Sequence, residues 1–287
     1  MVKIERFINY EVTSIFMSYK PLFDSIMAQL ATQTADRSAV FFPFLELYRL
    51  QTFDGTLMQV VDDLQTSLSA PYTAETLANV ALAGGRLVRG TVDFRIKNPD
   101  EPGIDELFQE VTDYAVFLYQ EYPNRVAVRN ELGRLKDRLA SSKAANTQVV
   151  QKADEAKWLS AQPVLLQQTL EELMGAVDSR DILLIALGHG GVVPGLDLFS
   201  RWHTFAGSDN SAFYTVRFSR HVSGDKNPQL MPYDAKKLRQ LSCGRSVVLF
   251  DEDTSPGGTI ERARRVFSKH IFPGIKIVEA VNADYRT

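Results

Sequence analysis

Three consecutive carboxylates, Asp251, Glu252 and Asp253, follow four apolar residues, Val247 to Phe250, and precede a turn-forming Ser255-Pro256-Gly257-Gly258. The apolar run, bounded by charge, predicts a short strand buried on both faces. Thr259 then opens the amphipathic stretch Ile260 to Phe267, which predicts a helix. Strand, acid pair, glycine turn and helix N-terminus, in that order, suit an anion. Glycines admit the backbone close to it, and N–H groups at the helix start point toward it. The acids serve a different chemistry. They repel phosphate, but they accept hydrogen bonds from sugar hydroxyls or hold a hydrated Mg2+.

A second unit of the same kind lies upstream. Ile182 to Leu187 read as a buried strand running directly into Gly188-His189-Gly190-Gly191, and helical spacing resumes at Leu196, Leu198, Phe199 and Trp202. Between the two units, Ala212 to Phe218 predict a strand, followed by a polar loop from Ser219 to Pro232 with two prolines and a glycine. Loops of that length are often functional lids. Arg217, Arg220 and Lys226 are its candidate anion-binding cations, Arg220 foremost. His189, set between glycines, is placed to meet an anion or solvent rather than a core. His203, His221 and His270 are scattered and show no metal-ligand spacing.

The two units and their order resemble type I phosphoribosyltransferases, enzymes that bind phosphoribosyl pyrophosphate (PRPP). Val247 to Phe250 match the family's strand, Asp251 and Glu252 its acid pair, and Ser255 to Thr259 its small hydroxyl- and glycine-rich loop. Gly188 to Gly191 are similar to its pyrophosphate loop, with His189 where Arg or Lys is frequent. The resemblance covers residues 163 to 287. It implies Mg2+-dependent binding of PRPP and transfer of the phosphoribosyl group to a nitrogenous acceptor, with release of pyrophosphate. It also implies roles. Asp251 and Glu252 would hold the ribose hydroxyls, with Arg220 of the lid acting on the leaving pyrophosphate. Gly188, His189, Gly190 and Gly191 would bind pyrophosphate. Ser255, Pro256, Gly257, Gly258 and Thr259, with Asp253 and Thr254 leading into them, would cradle the 5′-phosphate. No separate protein-built metal site is implied.

Several positions depart from the family pattern. Glu252 replaces the usual Asp, Asp253 and Thr254 replace apolar residues, and Pro256 stands where Thr or Ser is common. Ser255 occupies a position that is acidic in members acting on 6-oxopurines, which argues against purine salvage. Little chain follows the last predicted strand, so acceptor specificity is expected from the N-terminal region. The departures also keep open a non-catalytic PRPP- or nucleotide-binding regulator. A third reading is another doubly wound nucleotide or sugar-phosphate enzyme.

Composition sets the outer bounds. The 287 residues allow one or two domains, and 45% hydrophobic with 23% charged residues is the balance of a soluble globular protein. A net charge of -3 gives no electrostatic footprint for nucleic acid. A single cysteine, Cys243, excludes an internal disulfide and fits a reducing compartment. An early acid and no long apolar core argue against a signal peptide, and no run reaches the roughly 18 apolar residues of a membrane span. The expected location is cytoplasmic, and a homodimer is a candidate assembly.

The elements that must position these residues fall in two regions. Residues 1–160 predict a mainly helical region: helical spacing over 4–31 with Pro21 interrupting, an apolar run at Ala39 to Tyr48, and helices over 56–69 and 73–83. Thr73 reads as an N-cap. Gly84-Gly85 predict a helix stop, and Arg86 to Ile96 one or two short strands. Ile104, Leu107, Phe108, Val111, Ala115 and Leu118 share one helical face, ended by Pro123. Residues 124–160 predict a long solvated helix or helical linker. Residues 161–287 predict an α/β domain: a helix from Pro163, a short helix over 234–241, a last strand at Ile275 to Val281, and a parallel sheet flanked by helices.

Overall fold

Thr56 closes the first described strand and starts the first helix. The computed structural model describes residues 52–71, 73–122, 124–152, 163–188, 190–207, 210–218, 227–254 and 258–284, all within a unit spanning Phe41–Thr287. The sequence expectations for residues 1–51 lie outside the described residues. Phe53–Thr56 form strand β1 and Leu57–Ser69 form helix α1. The Gln59 amide donates to the Thr56 hydroxyl, and the Thr56 amide donates to the Gln59 side chain, a reciprocal cap. Thr73 caps α2 (Ala74–Lys97) in the same way, with Thr76 as its partner. The apolar stripe from Ile104 to Leu118 is buried along α3 (Ile104–Glu121).

Three expectations for this region are corrected. Gly84-Gly85 do not stop a helix, and Arg86 to Ile96 are not strands; α2 runs unbroken through both. The glycines serve close packing instead. A Cβ at Gly84 would lie 3.4 Å from Ala115 of α3, and one at Gly85 only 2.3 Å from a Val193 methyl. Tertiary contact thus outweighs the local helix cost of two glycines and the strand preference of Val88, Thr91 and Val92. Nor do residues 124–160 form one long helix. Helix α4 (Arg125–Ala140) ends at Ser141; a 3-10 turn (Lys143–Asn146) and strand β2 (Gln148–Gln151) follow, and β2 pairs antiparallel with β1.

The second half follows its predicted order closely. Helix α5 is Pro163–Ala176, β3 Ile182–Leu187, α6 Val192–Ala206 and β4 Ala212–Val216. Helix α7 is Pro232–Leu241, β5 Ser246–Thr254, α8 Thr259–His270 and β6 Ile277–Asp284. The protein is α/β, with a four-stranded parallel sheet in the order β4-β3-β5-β6, flanked by helices. All six residues of β3 are buried, as a strand covered on both faces requires. No helix among the described residues is long and apolar enough to cross a membrane.

Helix α6 sits at the centre. It contacts β3, β4 and β5 on one side and α2, α3 and α5 on the other, and every residue from Val192 to Trp202 is buried. Its internal Asp197–Arg201 pair, with both contacts at 3.2 Å, lies in this interior; burial pushes the Asp197 carboxyl up and Arg201 draws it back. A second buried network joins the helices to the sheet. Arg95 of α2 donates to Asp105 at 2.6 Å and to Asp234 at 2.7 Å, and the Tyr214 hydroxyl of β4 also donates to Asp234. Asp234 additionally accepts the Met231 amide at 2.7 Å, fixing the start of α7. Burial by itself would depress the Arg95 guanidinium; Asp234, Tyr214 and Asp105 together outweigh it and hold the pKa above its ordinary value.

The contact at Gly85 generates a paired expectation. Gly85→Ala forces α2 away from Val193 and lowers stability by about 1–3 kcal/mol. Gly133→Ala, on α4 with open space around it, raises stability by about 1 kcal/mol. Urea denaturation of both variants checks the pair; a neutral Gly85→Ala would contradict the packing described.

Candidate functional site

Strand order dictates where a site can form. From β3 the chain crosses to β4 on one side, then returns past β3 to place β5 on the other. β3 and β5 are therefore neighbours whose following connections leave in opposite directions. Doubly wound sheets hold their ligands at such a point, in a crevice at the carboxyl ends of the strands. Gly188 to Gly191 extend from β3 and Asp251 to Thr254 end β5, so the two sequence-predicted motifs meet at that crevice.

Each glycine in the loop has its own physical reason. Gly188 has φ +65°, its amide donates to Val216 O at 3.0 Å, and a Cβ there would lie 2.4 Å from Phe218 O. A side chain would meet both strain and backbone. A Cβ at Gly191 would lie 2.6 Å from Leu187 O, and one at Gly195 3.0 Å from the Ala186 methyl, so these two let α6 lie close on β3. Gly190 differs. A Cβ there would fall 1.5 Å from Glu252 Oε1, so the Glu252 carboxylate occupies the space above the glycine loop. The acid pair and the glycine loop touch.

The acids crowd one another. Asp251 is 7% exposed, and burial pushes its carboxyl well above the usual carboxylate range. The neighbouring Glu252 and then Asp253 push in the same direction; the Glu252 amide, donating to Asp251 Oδ1 at 3.1 Å, pulls back. β5 is longer than the apolar run predicted, continuing through the acids to Thr254. Asp251 to Thr254 are thus held by sheet pairing with β6 rather than by a loop, Asp251 opposite Val281 and Asp253 opposite Ala283. Thr254 is 2% exposed, and its hydroxyl has no hydrogen-bond partner among the described residues.

Two helix N-termini follow these strands. α6 starts after Gly191 with no side-chain cap and no acid in its first turn, leaving its amide donors to an anion or to water. α8 starts after Gly258, also without a side-chain cap, but carries Glu261 in its first turn. That acid makes it the weaker anion end of the two. Gly258 and Ile260 are buried beside it. His189, Arg220, Lys226, Ser255, Pro256 and Gly257 lie outside the described residues.

Among the described residues, no group of three or more His, Cys, Asp or Glu side chains converges where a metal could sit. The oxygen donors of Asp251 and Glu252 nonetheless suit a hard cation such as Mg2+. Burial and the neighbouring Glu252 favour the neutral form of Asp251, and a cation beside the pair would favour its ionised form.

One residue near this crevice has no sequence signal. Asp93 lies in the segment predicted as strand; on α2 it pairs with Arg217 at 2.9 Å, just past the end of β4. Only the packing of α2 on α6 reveals it. Family models, curated proteins and solved structures give no match to this chain.

Two expectations follow from the geometry. Folding holds Asp251 protonated where the unfolded chain would ionise it, so this group costs stability as pH rises through its raised folded pKa. Asp251→Asn should therefore raise the melting temperature at neutral pH, with the gain vanishing below about pH 3.9, where the unfolded carboxyl is protonated too. Melting curves across pH check this, and a destabilised Asn variant at neutral pH would refute it. Gly188→Ala should cost at least about 1–2 kcal/mol, while Gly190→Ala, which displaces only the flexible end of Glu252, should fold with little loss. Denaturant titrations of the two compare them directly.

Proposed function

We propose that the protein binds PRPP with Mg2+ at the β3–β5 crevice and transfers the phosphoribosyl group to a nitrogenous acceptor, releasing pyrophosphate. The observation carrying this reading is the contact of Glu252 with Gly190: acid pair and glycine loop, distant in sequence, share one crevice at the switch of strand order. The phosphoribosyltransferase-like motif order and the parallel sheet support it together.

In this reading Asp251 and Glu252 receive the ribose hydroxyls, which donate to carboxylate oxygens. Their anionic form also favours positive charge developing at the anomeric carbon. The α6 amides and Gly188 to Gly191 receive the pyrophosphate. Thr254, Ser255 to Gly258 and Thr259, with Asp253 leading into them, receive the 5′-phosphate, with the buried Thr254 hydroxyl a donor available to it. Mg2+, carried with pyrophosphate and met by Asp251 and Glu252, would offset the leaving group's charge. The acceptor nitrogen's lone pair forms the new bond to the anomeric carbon. The bond to pyrophosphate oxygen breaks with its electrons, and the acceptor loses a proton. The chain's part is positioning and charge stabilisation.

Calorimetric titration of PRPP with Mg2+ tests the reading. Saturable binding by the wild type, weakened at least about tenfold in Asp251→Asn/Glu252→Gln, is expected. Absence of binding at millimolar PRPP to folded protein would overturn it. Binding without pyrophosphate release across nitrogenous acceptors would leave the site and replace transfer by ligand sensing.

A further inference from the structure

Helices α3 and α4 line a cavity of about 500 Å3, within the size range of small-molecule sites, and none of its lining residues belongs to the β3–β5 crevice. Glu110, Asp113, Tyr114 and Phe117 recur at helical spacing along α3, and Glu131, Arg134 and Leu135 line it from α4. Three carboxylates thus stand against one guanidinium in the lining, and that guanidinium is committed: Arg134 Nη1 donates to Glu131 Oε2 at 2.9 Å. Glu110 pairs at 3.4 Å with Arg138, which does not line the cavity. Asp113 accepts from the neutral Gln109 amide at 2.8 Å, with Lys237 of α7 acting on it from longer range.

Carboxylates on a helix pair are ordinary; the tyrosine among them is not. Tyr114 is 3% exposed, and its hydroxyl has no hydrogen-bond partner among the described residues. A buried hydroxyl left unpaired costs stability that phenylalanine would not cost. Burial, and after it the Glu131 charge, push the Tyr114 phenol up, which places the hydroxyl on the side of the α4 carboxylate that lines the same cavity. Packing alone therefore does not account for tyrosine here.

We propose that this cavity is a second ligand site, for a small organic ammonium carried on an apolar body. The ammonium donates to the Glu131 carboxylate and to the Tyr114 hydroxyl oxygen, while Phe117 and Leu135 cover the apolar part. Asp113 and Glu110 add to the negative field. A metal ion suits the lining less, since among the described residues no group of three acidic side chains converges to hold one. An organic cation spreads its contacts over both helices. The site is independent of PRPP binding, so either reading can fail without the other.

The probes are phenethylamine and putrescine, titrated calorimetrically into the full chain, with the uncharged phenethyl alcohol as control. Expected are saturable binding of at least one amine, none of the alcohol, and about tenfold weaker amine binding in Tyr114→Phe and in Glu131→Gln. Tyr114→Phe should also melt higher than the wild type, because it removes an unpaired hydroxyl. A tyrosine serving only the fold would give the reverse: a lower melting temperature and unchanged binding. Amine binding indifferent to Tyr114→Phe belongs to the acidic surface and overturns the site. Equal binding of the alcohol overturns recognition of the charge. If Tyr114→Phe fails to fold, Glu131→Gln is compared with Asp137→Asn, an exposed carboxylate of α4 outside the lining. A loss confined to Glu131→Gln supports the cavity, and any other pattern overturns it. Absence of amine binding to folded wild type at millimolar concentration overturns the inference, whatever the PRPP titration gives.

Discussion

The burial of α6 on every side is the constraint on which the rest depends. A helix enclosed between a sheet and three other helices can present few side chains that are not apolar or small, and its Asp197–Arg201 ion pair is internal to it. Close approach is obtained by omission of side chains: Gly191 and Gly195 on the sheet side, Gly85 on the helix facing it. Because α6 cannot shift without disturbing both layers, its N-terminus and the glycine loop before it are fixed relative to β3 and β5. The precision of the crevice is a packing result.

Within that frame the crevice stores unfavourable electrostatics. Asp251 is buried beside Glu252 and Asp253, and its neutral form is favoured until something positive or hydrogen-donating arrives. A site arranged only for stability would not stack carboxylates at the end of a central strand. Such tension is common where a ligand completes the charge balance. The Arg95–Asp234–Tyr214 network, by contrast, is internally satisfied around Asp234 and joins α2, β4 and α7. One buried polar cluster joins the layers, and the other gathers carboxylates at the end of β5.

The α/β half was legible because its signals are local. Ile182 to Leu187 are apolar throughout and flanked by Asp181 and Gly188, which marks both ends of the strand; Thr259 and the amphipathic run after it mark the helix that follows β5. β5 proved longer than its apolar run because pairing with β6 continues through Asp253 and Thr254, and no residue pattern announces hydrogen bonds made by a neighbour. In the helical half, Gly84-Gly85 misled for a definite reason. A glycine that ends a helix and a glycine that admits another helix look identical in one dimension. The polar stretch after Ala140 concealed β2 in the same way, since that short strand exists only by pairing with β1, nearly a hundred residues away.

The sequence by itself determined the order of strands and helices from Pro163 onward, the residue types at the ends of β3 and β5, and the apolar face of α3. These follow from periodicity and from turn chemistry, which act over a few residues. Only the tertiary structure decided that Gly190 and Glu252 touch, that α2 is one helix, and that Asp93 reaches Arg217. Each of these depends on which strand lies beside which and how near two helices can come. Such choices are made by the packing of the whole core, and no local pattern encodes them.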